Sequence, residues 1–168
     1  KIGSGYANAK VQDVLNMNVI NAYTEDYTKA YSSSFLHEPV GGWRLPKNGD
    51  KHLSQEDYLN TIKSKKNRNL INKSNLAFYK SANTDVVGLI VEKISGKPLR
   101  HWMLRAVEAA GFEEGIYIAS DRYGMPWMSG GGCLITRDFL RMGLLFARKG
   151  KGVGNRRIGS ASFLDQTV

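Results

Sequence analysis

Apolar residues recur along this chain mostly at helical spacing, interrupted by stretches rich in glycine, proline and serine. Val11, Val14 and Leu15 predict a short first helix ending near Met17 and Asn18. From Ala22 to Asn48 no period is sustained, and aromatics crowd the region: Tyr23, Tyr27, Tyr31, Phe35 and Trp43. A long loop is expected there, and long ordered loops in compact domains are often functional. Ser54-Gln55-Glu56-Asp57 then opens a helix. Ser54 is placed to cap it, two acids suit the positive end of its dipole, and Leu53 and Tyr58 have staple spacing. Tyr58, Leu59 and Ile62 form its apolar face.

The strongest helical pattern runs from about Asn83 to Ile94. Val86, Val87, Ile90, Val91 and Ile94 are expected on one buried stripe, and Gly96 ends the helix. Pro98 suits the first turn of a further helix through Trp102, Leu104 and Val107 to Ala110, closed by Gly111. Ile116 to Ala119 is short and β-favouring. After Gly130-Gly131-Gly132, Thr136 is expected to cap a last helix with Asp138 in its first turn and Phe139, Leu140, Leu144 and Phe146 inside. Gly150 is expected to end it, and Lys149 to Gly159 reads as a turn or hairpin. The pattern therefore predicts a mostly helical body with ordered loops. Its strands are too few for a complete sheet.

Composition narrows this picture. With 168 residues and 42% hydrophobic content, the chain is long enough for one core. Nothing approaches the ~18 consecutive apolar residues of a membrane span. One cysteine, Cys133, excludes an internal disulfide framework and a cysteine-based zinc site. Followed by Leu134 and Ile135, it reads as a small buried hydrophobe. A nucleophilic role for it would need a histidine, and the three present, His37, His52 and His101, show no pairing pattern.

The net charge of +9 raises the alternative of a nucleic-acid-binding domain. The basic runs, Lys63 to Arg68 and Arg148 to Arg157, lack interleaved aromatics for base stacking. They read as solvated faces, and no nucleic-acid partner is expected.

Chemistry enters at Tyr79-Lys80-Ser81. A phenol has a pKa of ~10 and is a poor base at neutral pH, but nearby ammonium groups favour its ionised form. It can then relay a proton between a serine hydroxyl and a leaving group. Locally, a tyrosine just before a helix reads more simply as a packing residue.

The run Phe78-Tyr79-Lys80-Ser81-Ala82-Asn83-Thr84-Asp85-Val86-Val87, continuing to Gly96, resembles the tyrosine-motif segment of the serine β-lactamase-like esterases and peptidases. It is most similar to the 6-aminohexanoate-dimer hydrolases. The likeness extends back through Val11 to Met17, Tyr23 to Tyr27 and Gly42-Trp43-Arg44, and forward through Gly130 to Asp138.

The resemblance implies a mixed α/β, serine β-lactamase/transpeptidase-like fold, of which residues 1–168 supply mainly the helical lobe. They would form the central part of one hydrolase domain, truncated at both ends. It further implies a serine hydrolase that cleaves an amide or ester of a small substrate through an acyl-enzyme. Tyr79 takes the position of the catalytic tyrosine. Ser81 stands where β-lactamases proper often carry asparagine and the nylon-oligomer branch carries serine. Tyr27 matches a tyrosine that reaches the substrate amide or leaving group, and Glu38 a position where that branch places an aspartate for the substrate's ammonium group. Trp127 and Ser129 match residues lining the acyl pocket. No metal or organic cofactor is implied, and compartment and oligomeric state stay open.

Each position has a plainer reading. Tyr27 and Trp127 read equally as packing aromatics. Glu38, beside Pro39, reads as a solvated loop acid. The three glycines read as a tight turn or as an anion cradle.

No serine or threonine has a lysine three positions later, and no Lys-Thr-Gly or His-x-Gly triplet occurs. In the family these motifs lie upstream of the segment matching Val11 to Met17 and well past Val168. The chain alone is therefore expected to be inactive, and a non-catalytic binding protein on the same fold is the alternative for the whole.

Overall fold

Ser54 and Asp57 set the start of one helix in the manner their spacing suggests. In this computed structural model, which describes residues 4–49, 53–66, 69–74 and 76–167, helix α3 spans Gln55–Thr61. The Ser54 hydroxyl accepts the Asp57 amide at 3.0 Å, and the Asp57 carboxylate accepts the Ser54 amide at 3.3 Å. A second carboxylate, Asp121, accepts the Gln55 amide at 3.0 Å, so another donor of the first turn is satisfied from outside the helix. His52, Asn67 and Arg68, named above, lie outside the described residues.

The contacts divide the chain into two units. The first comprises residues up to Gly96 together with Ala119–Gly131. It contains α1 (Val11–Leu15), α2 (Ser33–His37), α3 and α4 (Ala82–Ser95), with α1 and α3 both packed against α4. Its core gathers Val14, Val19, Leu59, Ile62, Val86 and Leu89, all buried. Isolated antiparallel bridges, Val19 with Ile71 and Asn21 with Ser64, tie the intervening chain together.

Helix α2 lies where a structureless loop is expected. Ser32 caps it by accepting the Phe35 amide at 3.2 Å. Five residues are too few for a helical period to emerge from the sequence, which accounts for the difference.

Helix α4 ends at Gly96, whose φ of 65° is the left-handed closure expected of it. Its buried face differs from the aliphatic stripe. Ala82, Asn83, Asp85, Val86 and Leu89 are buried, while Val87, Ile90 and Val91 are half-buried and Ile94 is 81% exposed. Two polar residues on the inner face explain the rotation. Asn83 accepts the Tyr6 hydroxyl at 2.9 Å and donates to the Val14 carbonyl at 3.2 Å, fastening α4 to α1. Asp85 is engaged at the functional site described below.

The second unit comprises Lys97–Ile118 and the chain from Gly132 onward. Helix α5 (Leu99–Ala110) follows Pro98 and ends at Gly111, with φ 72°. Strands β1 (Tyr117–Ile118) and β2 (Gly132–Cys133) pair antiparallel, Tyr117 opposite Cys133 and Ile118 opposite Gly132. Helix α6 (Thr136–Ala147) packs on α5 through Ala109, Ala110 and Leu145, joined by Phe112, Met142 and Ile158. The antiparallel bridge of Lys151 with Arg157 forms the expected hairpin, and α7 (Ala161–Asp165) follows.

Three details of this unit depart from expectation. Cys133 is exposed, because it lies on a two-residue strand and not in a core. Ile135, not Thr136, occupies the cap of α6, and Thr136 is its first helical residue. Within α6, Phe139 and Leu140 are 69% and 64% exposed, because Leu145 and Met142 carry the contact with α5. Asp138 does fall in the first turn, fully buried. Its carboxylate accepts the Glu113 and Glu114 amides at 2.9 and 3.0 Å and binds Arg141 at 2.8 Å. Among the described residues no helix is long and apolar enough to cross a membrane.

Candidate active site

Ser81 stands at the entry to α4, and three side chains converge on it. Its hydroxyl donates to Glu25 Oε1 at 2.5 Å and its amide to Glu25 Oε2 at 2.9 Å. A carboxylate at this position meets the positive end of the helix dipole and takes up one of its unpaired amides. The Tyr27 hydroxyl donates to the same Glu25 oxygen and lies 3.2 Å from Ser81 Oγ. The Tyr79 hydroxyl lies 3.4 Å from Ser81 Oγ. Two phenols and a carboxylate thus meet at one serine hydroxyl.

The two phenols are differently held. Burial, reinforced by the bond to Glu25, pushes the Tyr27 hydroxyl up to about 12, which keeps it protonated and donating. Tyr79 is more than half exposed, with its ring open to solvent. Lys80 turns the opposite way. Its ammonium is buried, donates to the Tyr23 carbonyl at 2.5 Å and lies 4.8 Å from the centre of the Phe78 ring. Burial pulls it down to about 8, against the attraction of Glu25.

Five of the six residues singled out from sequence line one pocket of about 230 Å³: Tyr27, Glu38, Ser81, Trp127 and Ser129. Trp43 and Tyr23 complete much of its wall. Tyr79 lines a second cavity, of about 460 Å³, with Glu25 and Lys80, so its link to the first pocket is through Ser81. Glu38 is neither free nor fully solvated. It pairs with Arg44 at 3.3 Å, and Arg44 also donates to the Phe35 carbonyl at 2.9 Å.

The wall around Trp127 is built on close approach. A Cβ at Gly41 would meet the Trp127 ring at 2.5 Å, and one at Gly131 would meet Trp43 at 2.9 Å. Gly131 also has φ 75°, so the middle glycine of the triplet serves a turn against an aromatic ring. The indoles of Trp43 and Trp127 lie 5.8 Å apart.

Beneath the pocket is a buried polar layer that hydrophobic patterning does not reveal. His37 is fully buried, stacked 4.4 Å from Tyr58. Its Nδ1 lies 3.3 Å from the Tyr23 hydroxyl and its Nε2 3.1 Å from Gln55 Oε1. The carbonyl oxygen of Gln55 can only accept, so the proton belongs on Nε2 and Tyr23 donates to Nδ1. Asp85 Oδ2 is 4.0 Å from His37 Nε2, and Asp85 Oδ1 accepts the Met128 and Ser129 amides at 2.8 and 3.2 Å. Burial pushes Asp85 up to about 7 and His37 down to about 4, so the pair tends toward its neutral forms.

Sequence reasoning missed Glu25, His37 and Asp85 as site residues. Glu25 stood two positions before Tyr27, and Asp85 one helical turn after Ser81, on the same face of α4. Asp85 falls opposite the aliphatic stripe of α4, so periodicity assigns it to solvent and gave no signal.

No protein-family model matches this sequence. Over 162 residues, 92% of the chain, it is 30% identical to the 6-aminohexanoate-dimer hydrolase of Paenarthrobacter ureafaciens, and the match covers 38% of that protein. The structure aligns with a candidate 6-aminohexanoate-dimer hydrolase of Bacillus anthracis at a TM-score of 0.74 and 20% identity, covering 96% of this chain and 42% of the other. The chain therefore spans well under half the length of these relatives, 38% and 42%. Over that stretch the chain is similar in sequence and in fold to the 6-aminohexanoate-dimer hydrolases, and the fold it shares with them is β-lactamase-like.

Proposed function

We propose that this chain is part of a serine hydrolase that cleaves an amide or ester bond of a small substrate through an acyl-enzyme. The observation that carries the reading is the convergence of the Tyr27 and Tyr79 hydroxyls on Ser81, at a pocket also lined by Glu38, Trp127 and Ser129. Tyr79 is the acid/base, passing a proton between the nucleophile and the leaving group. Tyr27, held protonated, donates to the substrate amide or leaving group, and Ser81 links the two phenols. Trp127 and Ser129 bound the acyl side of the pocket. Glu38 offers negative charge to a substrate ammonium group, in competition with Arg44.

The nucleophile is a serine with a lysine three residues on, a pair that residues 1–168 do not contain. Alone, they give Tyr79 no acyl-enzyme to serve and are inactive in this reading. In the whole protein, Tyr79→Phe lowers p-nitrophenyl ester turnover by roughly 10²- to 10⁴-fold, the usual range for a lost acid/base, while the protein stays folded. Undiminished turnover in that variant would remove Tyr79 from the chemistry. A fluorophosphonate should label the proposed serine in the whole protein, and no labelled serine would end the acyl-enzyme reading.

A further inference from the structure

Ser81 and Asp85 are one helical turn apart, both buried on the same face of α4. Ser81 lines the pocket itself. Asp85 does not, yet its carboxylate holds the amides of Met128 and Ser129, the two residues that follow Trp127, and Ser129 is itself a pocket residue. The segment from Trp127 to Gly131 has little secondary structure of its own. Trp127 donates its amide to the Ala119 carbonyl at 2.9 Å, and Met128 is half-exposed.

Among the described residues, three buried polar atoms here find no hydrogen-bond partner: Asp85 Oδ2, Trp127 Nε1 and Ser129 Oγ. The indole N–H and the hydroxyl both draw the Asp85 carboxyl back toward its ionised form, against the larger push of burial. A carboxyl is thus surrounded by donors from one short segment, and that segment is a wall of the pocket. An apolar residue at position 85 would fill the space but leave two part-buried amides without their acceptor.

We propose that Asp85 is a positioning residue for substrate binding: through Met128 and Ser129 it fixes the Trp127–Gly131 wall against the helix that also carries Ser81. It touches neither substrate nor reacting atoms. One rigid helix therefore sets the distance between the proton-relay side of the site and its binding wall. The inference rests on the hydrolase reading for its consequence in turnover, but the fastening of the wall is measurable without it.

The test uses the whole protein, with hydrogen exchange read at Met128 and Ser129 and steady-state kinetics on a p-nitrophenyl ester. In the wild type both amides exchange slowly. In Asp85→Ala they exchange as fast as exposed loop amides, and KM rises about tenfold with kcat changed much less, the pattern of lost binding. Asp85→Asn keeps an oxygen acceptor and restores both slow exchange and KM. Fast exchange of these amides in the wild type overturns the inference even if Asp85→Ala does not fold. So does an Asp85→Ala protein with protected amides and unchanged KM. If the wild type hydrolyses neither esters nor amides, the hydrolase reading falls, while the exchange result still decides whether Asp85 holds the wall.

Discussion

Glu25 and Ser81 are joined twice, once through the serine amide and once through its hydroxyl, although 56 positions separate them in sequence. The same carboxylate receives the Tyr27 hydroxyl. The orientation of both phenols relative to Ser81 therefore depends on an acid that sequence reading passes over. In Glu25→Gln, one carbonyl oxygen must replace two carboxylate oxygens. The cost expected is about 1–3 kcal/mol, typical of a hydrogen-bonded charge losing its partners. Lys80, which Glu25 now favours as the ammonium, should titrate lower still in this variant. Urea denaturation and the Lys80 carbon chemical shift against pH measure the two effects; an unchanged Lys80 titration contradicts the coupling.

His37 and Asp85 give stability two opposing pH slopes. Burial holds His37 at about 4, below its ordinary 6.5, so between these values acidification protonates the unfolded chain first and stability falls. Asp85 sits at about 7, above its ordinary 3.8, so in that window acidification protonates the folded chain first and stability rises. Asp85→Asn leaves the histidine slope unopposed. Its urea midpoint should drop more steeply than that of the wild type between pH 7 and pH 4, and parallel curves would contradict the assignment.

At Gly41 there is no room for a methyl group. A Cβ there would sit 2.5 Å from the Trp127 ring, which is buried and cannot swing away freely. Gly41→Ala should destabilise by about 1–3 kcal/mol, the usual cost of overpacking, and shift tryptophan fluorescence as Trp127 moves. Gly49→Ala, where nothing lies within 4 Å, is the comparison, although its φ of 92° adds backbone strain of its own. A clash at Gly41 alone moves the fluorescence.

Arg44 competes for Glu38. Replacing it by methionine keeps much of the packing on Phe35 while releasing the carboxylate. If Glu38 receives a substrate ammonium, Arg44→Met lowers KM for an amino-terminated ester by several-fold, roughly 1 kcal/mol, and leaves a neutral ester unchanged. Equal effects on both substrates would assign Glu38 to structure.

Much of the backbone was legible because its signals are local. Ser54 with Asp57, Gly96 and Gly111 each mark a helix end by chemistry contained in one or two residues. The buried face of α4 was less so. Periodicity credits apolar residues with burial, whereas here Asn83 and Asp85 face inward and Ile94 faces solvent. Of the site, Tyr27, Glu38, Ser81, Trp127 and Ser129 prove to line one pocket, but their family match and not their local pattern singled them out. Glu25 and His37 were invisible for a physical reason. Their partners, Ser81 and Gln55, are distant in sequence, and no spacing rule encodes a pairing that the fold creates.

Helix α4 is fixed by buried polar contacts at its entry, while one side chain near its far end, Ile94, is 81% exposed. From Ser81 to Asp85 nearly every side chain is committed, while Ile94 stands in water. At 1.5 Å per residue, the nine residues from Asp85 to Ile94 span about 14 Å. A dye or spin label at Ile94 would thus ride on the same helix as Ser81 and Asp85, about 14 Å from the latter. That exposed side chain is a handle by which motion at the site can be watched from a distance.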